Sequence, residues 1–236
     1  MKKGFYSYLV VSLFVLQFGM ILESEAQIKE ERNVSPAFTG IEVTGGINLI
    51  VGQGAETRIW VETDEEHLDE VKTEVVKGVL KLSMDHGIFE WFSSRTVTVS
   101  VTHPDIQYLS ASGGADIEGK GVIDSEEIQI SSSGGADVEL EIKAVRTKLG
   151  SSGGADIHVK GETDELEVSA SGGSDVKAKD LKARCVIASS SGGADIEVYA
   201  SEKIKASASG GSDIDYFGPA SQVEENESGG GDVTHR

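Results

Sequence analysis

The chain has 236 residues, 40 of them acidic against 21 basic, for a formal charge of −19, with 29 glycines, three prolines and one cysteine. A surface this acidic repels phosphate instead of releasing counterions from it, which excludes nucleic acid and disfavours anionic lipid. The lone Cys185 excludes a disulfide framework.

In chain order, Lys2 and Lys3 precede an apolar run over 8–22, and Ser24-Glu25-Ala26 supplies small residues just before Gln27. Residues 1–26 therefore read as a signal peptide cut ahead of Gln27. The run is short for a membrane span, which takes about 20 apolar residues, and no later stretch is apolar enough to cross a bilayer. No cysteine stands at the cut to accept a lipid. The expectation is an exported chain, periplasmic, cell-surface or extracellular, without a transmembrane segment after cleavage. Residues 27–37 (QIKEERNVSPA) carry little pattern and are expected as a flexible leader.

Order is expected from Phe38, as a single domain over 38–236 with irregular coils over 38–105 and regular ones over 106–236. Ile41, Val43, Ile47, Leu49 and Val51 alternate around Gly45-Gly46, which predicts a first, degenerate coil. Strands are predicted at 57–62 and 71–76, with one helical turn at most over 64–70. Lys77-Gly78 reads as a tight hairpin turn into a strand beginning at Val79. Residues 85–94 read as a loop, and 96–102 as a strand ended by His103-Pro104-Asp105. Within that loop, Phe89, Trp91 and Phe92 read as a cap over the open end of the stack. Tyr216-Phe217-Gly218-Pro219 is read as covering the other end.

From Ser112 one phrase, Ser-Gly-Gly-Ala/Ser-Asp, recurs at 133–137, 152–156, 171–175, 191–195 and 209–213, and as Ser-Gly-Gly-Gly-Asp at 228–232. A period near 19 predicts a solenoid, in which each unit is completed by its neighbours. Apolar residues alternate with polar ones on both sides of the phrase: Leu109, Ile130, Leu149 and Val168 before it, Ile117, Val138, Ile157 and Val176 after it. That period of two predicts strands that bend at the glycine pairs: Gly113-Gly114, Gly134-Gly135, Gly153-Gly154, Gly172-Gly173, Gly192-Gly193, Gly210-Gly211 and Gly229-Gly230. Variable stretches such as 121–127 and 161–165 are expected as connectors on a third side. The fold class is all-β, a parallel β-helix of about 19 residues per coil.

The segment Phe38-Thr39-Gly40-Ile41-Glu42-Val43, then Gly46-Ile47-Asn48, the Lys77-Gly78-Val79-Leu80 turn and the repeated phrase together resemble the auto-transporter adhesin head, or GIN domain, family. The resemblance covers about 34–236. It implies a right-handed parallel β-helix and an exported or cell-surface adhesin, and brings no catalytic or ligand residues with it.

The candidate chemistry lies in Asp116, Asp137, Asp156, Asp175, Asp195, Asp213 and Asp232, which alternation places on the outer side opposite the apolar row. Like charges about 5 Å apart in water repel by roughly 0.8 kcal/mol per pair, so something must offset them. One reading has each Asp accepting backbone N–H bonds in its own coil and holding the bend. The other is a row for a cation such as calcium, although the third glycine of a calcium β-roll is missing. No cofactor is expected. His67, His86, His103, His158 and His235 match no metal spacing, and Cys185 has no recognisable His partner. The outward serines beside each glycine pair offer hydroxyls for sugars or merely small corner residues. The functional expectation is a non-enzymatic cell-envelope adhesion or interaction module meeting a protein or glycan, with homo-oligomerisation open. The alternatives are a glycan-processing β-helix enzyme, which needs paired acids at a set separation, and a calcium-binding β-roll.

Overall fold

A computed structural model describes residues 27–85 and 97–236. Its strands are β1 (Gln27–Arg32), β2 (Gly40–Thr44), β3 (Ile47–Gln53), β4 (Arg58–Asp64), β5 (Val71–Val76), β6 (Val79–Met84), β7 (Val97–His103) and β8 (Tyr108–Gly113). They continue as β9 (Asp116–Gly134), β10 (Asp137–Gly153), β11 (Asp156–Gly172), β12 (Asp175–Gly192) and β13 (Asp195–Gly210). The chain closes with β14 (Asp213–Phe217), β15 (Gln222–Gly229) and β16 (Asp232–His235). The architecture is a parallel β-solenoid of about 7 turns.

Each of β9 to β13 is a whole coil. The strand leaves one corner at an Asp, wraps the core, and breaks only at the next glycine. The connector side, expected as loops, is paired as well: Ala144 lies beside Thr163, and Thr163 beside Ala183. Unequal coil lengths are absorbed by register shifts between Glu139 and Glu141, His158 and Gly161, and Ala178 and Lys182. Bulges let one strand carry an extra residue without losing the ladder on either side.

Inward residues stack like on like. Ile117, Val138, Ile157, Val176, Ile196 and Ile214 form one buried column, and Ile128, Thr147, Leu166, Val186 and Ile204 another. Burying each such aliphatic side chain is worth about 1.5–3 kcal/mol, and each is covered only because the coils above and below exist.

The glycine corner sets the register, and its two glycines do different work. The first is left-handed throughout the repeats, with φ between 75° and 87°; φ is 81° at Gly153. Gly153 also lies against the coil before it: an added Cβ would sit 3.1 Å from the Gly134 carbonyl oxygen and 3.2 Å from its nitrogen. The second glycine has ordinary φ, and its N–H donates to the first glycine of the preceding coil, as from Gly154 to the Gly134 carbonyl at 2.8 Å.

The N-terminal strands extend the stack. β2 lies on β8 and β3 on β9, with Asn48 in register with Asp116, so Gly45-Gly46 is the corner of the degenerate first coil. Beyond it, β6 pairs β2 and β7 pairs β3. The β5–β6 hairpin turns at Lys77 (φ 52°) and Gly78 (φ 81°), the double left-handed pair of a type I′ turn. Residues 65–70 make a short 3-10 turn. Residues 27–37, expected as a flexible leader, instead begin with β1, antiparallel to β4. Alternation gives β1 an inner side: Ile28 packs on the core, and the Arg32 guanidinium donates to the Leu68 carbonyl at 2.9 Å. Phe89, Trp91 and Phe92 lie outside the described residues.

At the C-terminal end the cap differs from expectation. Tyr216 is buried within the core at 5% exposure, and the covering layer is the last coil, β15 and β16. There Glu225 and Glu227 stand beside Ala206 and Ala208, at positions that are apolar in the coil beneath. Glu225 accepts the Tyr216 hydroxyl at 3.0 Å, and Glu227 accepts the Val233 N–H at 2.8 Å. Charge at inward positions blunts an edge that would otherwise recruit another strand.

The two glycines of a pair should therefore respond differently to substitution. Gly153→Ala forces an L side chain into left-handed backbone and against Gly134, and should cost at least about 2 kcal/mol, whereas Gly154→Ala should cost about 1 kcal/mol or less. Urea denaturation of both variants measures the difference; equal losses would remove the first glycine from its role.

Candidate functional site

The repeats bring the seven aspartates together as one column. Asp137, Asp156, Asp175, Asp195, Asp213 and Asp232 are successive register partners, and Asp116 heads the row beside Asn48. Their bonding runs between coils. The Asp116 carboxylate accepts the Asp137 N–H, and the Asp156 carboxylate accepts the Asp175 N–H, both at 3.3 Å. Elsewhere the Asp N–H bonds to the backbone of the preceding coil, as from Asp195 to the Ser174 carbonyl at 3.1 Å.

The column carries electrostatic strain. Partial burial holds the Asp137 carboxyl above the usual carboxylate range, with repulsion from Asp116 and Asp156 adding to it. Burial also raises Asp195, and the Asp213 N–H partly counteracts this. Relief comes from Lys177 in the next outward row, which stands 3.8 Å from Asp175 and draws the Asp137 carboxyl back down.

The other side of the corner holds a pattern that the sequence reading missed. Three corners place a buried serine two residues before the first glycine: Ser132, Ser151 and Ser190 donate to the carbonyls of Ala136, Ala155 and Ala194 at 2.6–2.7 Å. Two corners invert this. There Ala170 and Ala208 hold the first position, while Ser174 and Ser212 donate back to the carbonyls of Ser171 and Ser209 at 3.1 and 3.0 Å. Each of these five corners thus encloses one hydroxyl and one methyl. The signal stands in the repeats as Ser-Ser-Gly-Gly-Ala against Ala-Ser-Gly-Gly-Ser, and it emerges only when positions four residues apart are compared.

The remaining candidates stay apart. His158 is exposed, while His103 is buried, tilted against the Phe38 ring and bonded to the Asp105 backbone. His235 stacks on Tyr216. Cys185 is half-buried between Glu165 and Lys203. Among the described residues, no three His, Cys, Asp or Glu side chains are grouped to hold a metal, and no helix is long and apolar enough to cross a membrane.

Residues 37–220 match the family model described as "Putative auto-transporter adhesin, head GIN domain". The chain belongs to this family. No curated protein sequence matches it. Among solved structures it is similar to a putative adhesin from Bacteroides fragilis, with 22% identity, 90% of this chain and 98% of that one covered, and a TM-score of 0.83. A putative lipid binding protein from Parabacteroides distasonis gives 18% identity, 90% and 98% coverage and a TM-score of 0.72. A putative adhesin from Parabacteroides merdae gives 18%, 90% and 97%, and 0.71. These likenesses establish a shared fold.

Three outcomes are expected of this GIN domain. Ser151→Ala removes the hydroxyl bond to the Ala155 carbonyl and should cost about 1 kcal/mol, and adding Ala155→Ser should recover part of it, because the new hydroxyl can donate to the Ser152 carbonyl as Ser174 does to Ser171. Denaturation of the single and double variants decides this. For the aspartates, a carboxyl raised on folding means that the native state binds the extra proton, so this contribution to stability falls as pH rises through the raised value. Asp137→Asn should therefore melt about 1–3 °C above the parent at pH 7, with the gap closing toward pH 4. Millimolar calcium should move neither melting point by more than about a degree or two; a gain of about ten degrees confined to the parent would make the column a cation row.

Proposed function

We propose that this GIN domain is an exported, non-enzymatic adhesion module of the cell envelope, whose partner is a protein or glycan. The observation that carries the reading is that its outer faces present the same groups coil after coil: the aspartate column on one side of the corner, and serines 112, 133, 152, 171, 191, 209 and 228 on the other. A repeated surface suits many weak, equivalent contacts with an extended partner, in which avidity replaces a single deep pocket. Glycoside hydrolysis instead needs a distinct acid and a distinct base at a defined separation. Family membership supports a cell-envelope location, and the charge and apolar pattern of residues 1–26 supports export.

The test compares cells producing the full-length chain with cells lacking it on mucin-coated and polysaccharide-coated surfaces, alongside the purified protein incubated with the same polysaccharides. Retention should fall several-fold when the chain is absent, and no new reducing ends or unsaturated sugars should form. Product formation would replace adhesion with the enzymatic reading.

A further inference from the structure

The connector side of the solenoid is unlike its other faces. A hollow of about 520 Å³ lies there, open to solvent, across the coils from Asp124 to Tyr199. Its floor is a register column of small side chains: Ser125, Ala144, Thr163 and Ala183. Thr163 is buried and takes the Thr147 hydroxyl at 3.0 Å, which fixes the floor to the core. One rim alternates in charge along the axis, Asp124, Lys143, Glu162, Lys182, each beside the next in register. On the other rim, Arg184 bonds Glu202 through two nitrogens at 3.0 and 3.1 Å and stands 3.6 Å from Asp164. Tyr199 closes one end. Lys182 sits 3.9 Å over its ring, and Gly218 is so close to the ring that an added Cβ would come within 3.0 Å of it.

Three acids and three cations line the hollow, so it is neutral on a chain of charge −19. We propose that this groove is the glycan-binding subsite of the module and takes a linear, uncharged polysaccharide lying along the solenoid axis. This inference rests on the adhesion reading. Small floor residues leave room for the edges of sugar rings. Alternating carboxylates and ammonium groups about 4.8 Å apart offer acceptors and donors in turn, and sugar hydroxyls both donate and accept. A polyanion meets the acids of the rim and the field of the whole chain, and a polycation meets Lys143, Lys182 and Arg184. An uncharged polyol meets neither penalty.

Native electrophoresis through gels containing hydroxyethylcellulose, laminarin or mannan, with alginate as the anionic comparison, tests the groove on the purified chain. The parent should be retarded by at least one neutral polymer and not by alginate. Ala144→Trp fills the floor, and Lys143→Glu leaves three acids in a row along the rim. Each should weaken retardation at least about tenfold in apparent affinity, while Glu74→Trp, exposed on the β5–β6 hairpin and away from both the groove and the repeated faces, leaves it unchanged. Lys143→Glu changes only an exposed side chain, so it reports on the groove even where Ala144→Trp fails to fold. A parent free of retardation in all neutral gels, retardation by alginate alone, or equal retardation of parent and groove variants each overturns the proposal. Cell adhesion that survives both groove variants but is lost without the chain leaves the adhesion reading standing and removes the groove from it.

Discussion

The structure depends on the contact between successive glycine corners. A left-handed first glycine turns the chain, and the N–H of the second donates to the first glycine of the coil beneath, from Gly135 through Gly230, at 2.6–2.8 Å. Because this bond ties a fixed position to the same position one coil earlier, every other residue is placed by counting from it. Serines before the corner stack on serines, aspartates after it stack on aspartates, and inward aliphatics stack on aliphatics. Length differences between repeats are forced away from the corner, which is why the bulges collect on the connector side.

That constraint explains both the regular faces and the exceptional one. Stacking in register makes like charges neighbours, and the aspartate column accepts this strain in return for bonds from one coil to the next. On the connector side, bulges change which residue meets which. The partners there have opposite sign, and small residues open a groove between them. The irregularity of the repeats thus supplies a charge-balanced concavity on this acidic chain.

Much of this was legible in the sequence. A fixed phrase near every nineteenth residue, with period-two alternation around it, specified strand, corner, parallel stacking and core rows. The Asn48 substitution was already visible as a degenerate first rung. What escaped has physical reasons. The two glycines of a pair look alike in the alphabet and differ only in backbone angle. The hydroxyl exchange between Ser151 and Ser174 links positions on opposite sides of the bend, where no local pattern operates. β1 was missed because its polar composition hides a single useful alternation, which becomes a strand once β4 offers an edge. The groove depends on bulge positions, which length differences reveal in number and not in place.

The last coil has a consequence for how such a protein varies. Its inward Glu225 and Glu227 can be satisfied from one side alone, by Tyr216 and the Val233 N–H, so no further coil could stack on them without burying two carboxylates. Interior coils carry no such stop, and each meets its neighbours through nearly the same corner. Gain or loss of whole repeats is therefore open to the interior and closed at this end. Lengthening or shortening of the rod therefore falls among the interior coils, while the inward carboxylates of β15 disfavour strand addition on that edge.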